Sequence, residues 1–142
     1  MRKILMTVIA AAALWACDEE GRREEPFTPA TGEFDATFEL TGADEATGHA
    51  NFRIYNTSGS TDSLWIDDEN FFESKVKVKW DGANNFSIEE GVDVYNGEVV
   101  NITGELFPEK DSVHVQWRYI QGGDPADDYY VEAGGRRYTG LD

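Results

Sequence analysis

Beyond Gly32 the chain alternates apolar and polar side chains with a period of two. Phe34, Ala36, Phe38 and Leu40 share one phase, while Asp35, Thr37 and Glu39 take the other. Ala50, Phe52 and Ile54 repeat the pattern, as do Leu64 and Ile66, then Phe72, Ser74, Val76, Val78 and Trp80. Phe86 and Ile88 lead into Val92 and Val94 on shorter runs, and Val113, Val115, Trp117 and Tyr119 form a last clear series before Tyr129-Tyr130-Val131. Successive strand side chains point to opposite faces, so each run predicts a half-buried strand. No stretch sustains a helical period, and Asp67 to Glu73 has room for one helical turn at most.

Turn chemistry separates the runs. Ser58-Gly59-Ser60, Asp81-Gly82-Ala83-Asn84-Asn85 and Gly122-Gly123-Asp124-Pro125 break the alternation, and Asn96-Gly97 between Val94-Tyr95 and Val99-Val100 is a two-residue hairpin signal. About eight short antiparallel strands joined mostly by simple hairpins predict an all-β fold, a single mostly up-and-down β-barrel of the lipocalin kind, with a β-sandwich as the alternative. A barrel of about eight strands is either filled by its inward side chains or holds one small ligand.

The first residues follow another rule. Arg2 and Lys3 precede an apolar run from Ile4 to Ala16 broken only by Thr7. That run is shorter than the ~18 residues a membrane-spanning helix needs, and it fits a secretory leader over residues 1–16. Cys17 is the single cysteine, so no disulfide within the chain staples the fold. Leu14-Trp15-Ala16-Cys17 resembles the lipobox of bacterial lipoproteins, with Trp15 where a small residue is usual, and marks Cys17 as the lipidation site. Residues 17–32 begin Cys-Asp-Glu-Glu-Gly-Arg-Arg-Glu-Glu-Pro. Such a charged segment cannot repay the entropy of ordering and reads as an acidic tether. Its acidic start resembles the surface-export signal of Bacteroidetes lipoproteins. Residues 33–142 are then the barrel domain.

Charge narrows the partners. The formal net charge is −16, and cleavage of the leader would remove two cations and no acid. Nucleic acid is an unsuitable partner for a chain without a basic footprint. Attachment to a membrane is expected through the lipid anchor instead, at the outer membrane or cell surface, with the periplasmic face as an alternative.

Thr61-Asp62-Ser63-Leu64-Trp65-Ile66-Asp67-Asp68, the following Phe71-Phe72, the Lys75-Val76-Lys77-Val78 strand and the closing Gly135-Arg136-Arg137-Tyr138-Thr139-Gly140 together resemble the lipid-binding putative hydrolase family of Bacteroidetes lipoproteins. The resemblance runs from about Gly32 to the C-terminus. It implies a calycin-like barrel, and its name points to lipid binding and hydrolysis without an established catalytic set.

The residues offer few catalytic constellations. There is no Gly-x-Ser-x-Gly elbow and no His-Glu-x-x-His pair. His49 reads as a turn residue and His114 as outward on its strand. The weak catalytic candidates are His114 and the carboxylates Asp67 and Asp68, which could act as an acid–base pair or stand as solvated charges ending a strand. Pairing of Asp67 and Asp68 with Arg136 and Arg137 would close one mouth of the barrel. Ligand-contact candidates are Trp80, Trp117 and Tyr119 in the inward phase, Trp65 out of phase, and Arg136 and Arg137. Lys75, Lys77 and Lys79 form a basic stripe; with Trp80 opposite Phe86, Lys77 falls opposite Glu89. Asp62-Ser63-Leu64 and Asp111-Ser112-Val113 resemble an O-glycosylation tripeptide. No metal and no cofactor is expected.

These readings lead to an envelope lipoprotein whose barrel binds an apolar or amphipathic, lipid-like small ligand without catalysis. The alternatives are a hydrolase working through carboxylates near Asp67 and Asp68, and an accessory surface protein of an envelope complex. A glycan is the other ligand class, and a protein partner in the envelope stays open.

Overall fold

The computed structural model describes residues 30–42, 45–60, 62–68 and 71–140. The proposed leader, Cys17 and most of the tether lie outside the described residues. Eight strands follow in order: β1 Gly32–Thr41, β2 Ala46–Asn56, β3 Ser63–Asp68, β4 Ser74–Trp80, β5 Asn85–Val92, β6 Val99–Phe107, β7 Ser112–Tyr119 and β8 Tyr129–Arg137. A 3-10 turn at Pro108–Lys110 joins β6 to β7. Each strand pairs antiparallel with the next, and β8 returns to β1 from Phe34↔Arg137 to Thr41↔Tyr130, closing the barrel. Closure removes the free edges that a sandwich would keep.

The period-two reading places the core correctly. Phe34, Phe38, Phe52, Ile54, Leu64, Ile66, Val76, Val78, Phe86, Val115, Trp117 and Tyr119 are all buried. The outward phase carries Glu39, Arg53, Lys77, Lys79, Gln116 and Glu132, the inverse of the apolar outer band of a membrane-spanning barrel.

Four local expectations change. Val92 and Val94 are exposed, at 61% and 57%, because a bulge between Ile88 and Gly91 shifts the phase of β5. Glu90 takes a left-handed φ of 50° there, and its N–H donates to Asn101 Oδ1 at 2.7 Å. The β4–β5 ladder does start at Trp80↔Phe86, but it ends at Lys79↔Ser87, so Lys77 does not pair in the ladder with Glu89. Asn96-Gly97 sits in a longer connection, Asp93 to Glu98, held by Asp93 N–H to Glu98 O at 2.9 Å and Gly97 N–H to Asp93 O at 2.9 Å. His49 lies within β2, opposite Thr37, rather than at a turn.

The barrel has two unlike poles. At one, β1 begins and β8 ends, and the β2–β3, β4–β5 and β6–β7 connections turn. At the other lie the β1–β2, β3–β4, β5–β6 and β7–β8 connections. Asp67 and Asp68 end β3 at the second pole, whereas Arg136 and Arg137 end β8 at the first. The expected pairing across one mouth is therefore ruled out by topology. Arg137 closes its own pole: Nε donates to Asp111 Oδ1 at 2.8 Å, another nitrogen donates to the Thr31 carbonyl, and the guanidinium lies 5.1 Å from the Phe34 ring centre.

Candidate functional site

The second pole is plugged by two aromatic side chains carried on a loop. Asp68, the last residue of β3, is buried, and its carboxylate accepts the Phe71 N–H at 3.0 Å and the Phe72 N–H at 2.7 Å. These bonds fix Phe71 and Phe72 to the end of β3. Phe71 stacks on Phe38 with centroids 4.8 Å apart, above Gly48, where a Cβ would overlap the Phe71 ring. Phe72 lies 5.6 Å from Tyr119 and 5.8 Å from Tyr129, which stack on each other at 4.7 Å. Below the plug Phe38 and Phe52 contact Trp117, at 6.1 and 6.2 Å, and Phe52 stacks on Phe34 at 5.5 Å. The barrel thus holds a continuous aromatic column that ends at the plug.

Acidic groups ring this mouth. Tyr129 donates to Glu98 Oε2 at 2.7 Å and Tyr119 to the buried Asp93 at 3.4 Å. Asp93 also accepts the Lys75 and Tyr95 N–H groups. Burial, and then the nearby carboxylates, push both phenols well above the usual tyrosine range, so they act as fixed donors. Asp128, also buried, accepts from Gln121 N–H and Arg118, which hold its carboxyl below the usual range.

Asp67 and Asp68 have separate tasks, because adjacent strand residues face opposite sides of the wall. Asp67 points outward yet is only 4% exposed. It accepts Tyr55 OH at 2.7 Å, Tyr95 OH at 2.9 Å and Lys75 Nζ at 3.1 Å. The ammonium lies 5.3, 5.6 and 5.9 Å from the rings of Tyr55, Trp65 and Tyr95, an aromatic cage filled by the protein's own cation. Trp65 is half-buried in this cluster. Burial would raise the Asp67 pKa, but the two phenols and Lys75 outweigh it and hold it below its ordinary value. Tyr55 and Asp67 hold Lys75 above its own. A carboxylate depressed in this way adds stability above roughly pH 4 and loses it as acid protonates the group. Asp67→Asn is therefore expected to narrow the difference in melting temperature between neutral and strongly acidic solution, measured by circular dichroism.

The remaining candidates lie elsewhere. Trp80 is buried near the first pole. Arg136 is exposed on the outer wall and lines a shallow cavity of about 490 Å3 with Asp35, His49 and Ser112, floored by Gly134 and Gly135. His49 Nε2 lies 2.6 Å from Asp35 Oδ1. Ser112 is on β7 and His49 on β2, with β8 and β1 between them. Three strand spacings of about 4.8 Å separate a serine from that histidine, too far for a hydrogen-bonded triad. His114 faces outward, 3.8 Å from Glu132. Among the described residues no group of three His, Cys, Asp or Glu could hold a metal ion. Ser63 is buried, its hydroxyl 2.9 Å from that of Thr57, and so is closed to a glycan in the folded state.

Sequence reasoning missed the plug by reading Phe72 as the start of a strand. The available signal was an aspartate ending a strand three and four residues before two phenylalanines, the spacing at which a carboxylate can gather loop N–H groups. The Asp35–His49 contact was missed because β2 begins earlier than its apolar run.

A family model described as lipid-binding putative hydrolase matches residues 19–142. No curated protein matches the chain.

Proposed function

The chain belongs to the lipid-binding putative hydrolase family, and on that footing we propose that it binds a lipid-like small ligand at the plugged mouth of the barrel, without catalysis, as a lipid-anchored protein of the cell envelope. A lipid-binding family and a closed β-barrel fit that role. The observation that carries the location is the plug. Phe71 and Phe72 are half-buried loop residues that fill an apolar space lined by Phe38, Tyr119 and Tyr129. Moving the loop would leave a socket of aromatic walls with a polar rim, the usual make-up of a small-molecule site. The absence of catalysis is supported by Asp67 and Asp68, each held by hydrogen bonds that make it structural.

The envelope assignment rests on the basic and apolar leader, the Cys17 lipobox and the acidic tether. Outer membrane or cell surface is the proposed location, and an envelope protein partner is left to experiment. The test has two arms. The purified domain should raise the fluorescence of the neutral apolar probe N-phenyl-1-naphthylamine saturably at micromolar concentration. The full chain made in a lipoprotein-processing host should have a mass showing loss of residues 1–16 and acylation of Cys17. Non-saturable fluorescence would reject the binding site, and an unmodified Cys17 would reject the anchor.

One observation favours a second reading. The Asp35–His49 contact beside Arg136 is an oriented imidazole in an open cavity, the arrangement from which a general base acts. Steady turnover of neutral esters by the same preparation would favour hydrolysis there.

A further inference from the structure

Among the described residues, Asn56 Oδ1, Trp80 Nε1 and Trp117 Nε1 are buried without a hydrogen-bond partner. Trp117 matters most for the mouth. It is 2% exposed, faces the barrel interior, and contacts Phe38, the ring on which the plug residue Phe71 stacks. A buried indole N–H normally finds an acceptor, and leaving it without one costs free energy. Phenylalanine would fill the same wall without that cost.

Charge then selects the acceptor. Arg137 is the one cation in the inward phase of the described strands, and Asp111 and Thr31 hold it at the opposite pole. The mouth itself is lined by Asp68, Asp93 and Glu98, with Asp128 there neutralised by Arg118. A free carboxylate would have to pass these acids and lie in the interior without a counter-charge, which is strongly unfavourable. A neutral carbonyl meets neither obstacle and supplies the missing acceptor. Resting on the binding site proposed above, we infer that the ligand is a neutral lipid whose ester or amide carbonyl accepts a hydrogen bond from Trp117 Nε1. Its apolar chain takes the place of Phe71 and Phe72 against Phe38, Tyr119 and Tyr129. Free fatty acids are rejected.

Displacement of N-phenyl-1-naphthylamine from the mature domain by methyl decanoate and by decanoate, at a pH where the acid is ionised, tests this. Methyl decanoate should displace the probe at about tenfold lower concentration. Trp117→Phe, which keeps an aromatic ring and drops the N–H, should weaken the ester about fivefold more than it changes the probe's own affinity. In the wild-type domain the Trp117 indole N–H resonance should move downfield on saturation with the ester, a readout that needs no variant. Equal displacement by acid and ester, or an indole resonance that stays in place while the ester is bound, overturns the carbonyl assignment and leaves the binding site standing. Absence of any probe binding overturns the site and the assignment together.

Discussion

Replacing both plug residues, Phe71→Ala with Phe72→Ala, is expected to destabilise the barrel by about 3–4 kcal/mol and to tighten binding of a neutral apolar probe about tenfold. Truncating a fully buried phenylalanine costs about 3–5 kcal/mol. Both residues are half-buried, so each contributes less. A domain stability of about 5–15 kcal/mol leaves the double variant folded in most of that range. The affinity should rise because Phe71 and Phe72 occupy the space a ligand needs: binding to the parent must first displace them, whereas the variant presents the socket already vacated. Denaturant unfolding and a fluorescence titration read the two effects separately. Weaker probe binding in a folded double variant would mean that the two rings are part of the ligand's wall rather than its competitor.

The second large effect belongs to the seam that closes the barrel. Gly135 of β8 pairs with Ala36 of β1 and Val113 of β7. A Cβ added there would lie 2.5 Å from the Asp35 carbonyl oxygen and 2.7 Å from the Ala36 Cβ. Backbone atoms on a neighbouring strand cannot step aside as the end of a side chain can. Gly135→Val should therefore cost about 3 kcal/mol or more, at the upper end of overpacking penalties, and break the β1–β8 ladder. Gly134 is the internal control. It is the next residue along the same strand, its added Cβ would meet nothing within 4 Å, and Gly134→Ala should leave the melting temperature unchanged or slightly raised. Similar effects at the two positions would place the seam differently from the register described above.

The contrast between these neighbours shows what a linear reading can and cannot supply. The alternation of Phe34, Ala36 and Phe38, or of Val113, Val115 and Trp117, announces which side chains go inside, because a strand fixes that choice locally. The barrel and most of its core follow from it. Events that depend on a second strand are silent in the sequence. The phase shift that exposes Val92 relies on Asn101 of β6 receiving the Glu90 N–H. The burial of Asp67 relies on Tyr55 from β2 and Tyr95 from the β5–β6 connection. Arg137 was legible as a cation near a barrel end, but its partner Asp111 was not, since only closure of β8 onto β1 decides which pole it caps. At the mouth the individual residues were visible, Tyr119 and Trp117 among them. The plug was hidden by its own composition, because two phenylalanines ahead of an alternating run look like the run itself.

The separation of the poles bears on both the anchor and the binding site proposed above. The chain comes into the barrel at the fully buried Ala30, beside Arg137, and the Phe71–Phe72 opening is at the far end. Strands of about nine residues, rising ~3.3 Å per residue and tilted by about 40°, put roughly 20 Å between the two. With the anchor proposed above on Cys17, the tether would join the body at the pole opposite the Phe71–Phe72 opening. A ligand would then reach the opening without passing the anchored pole.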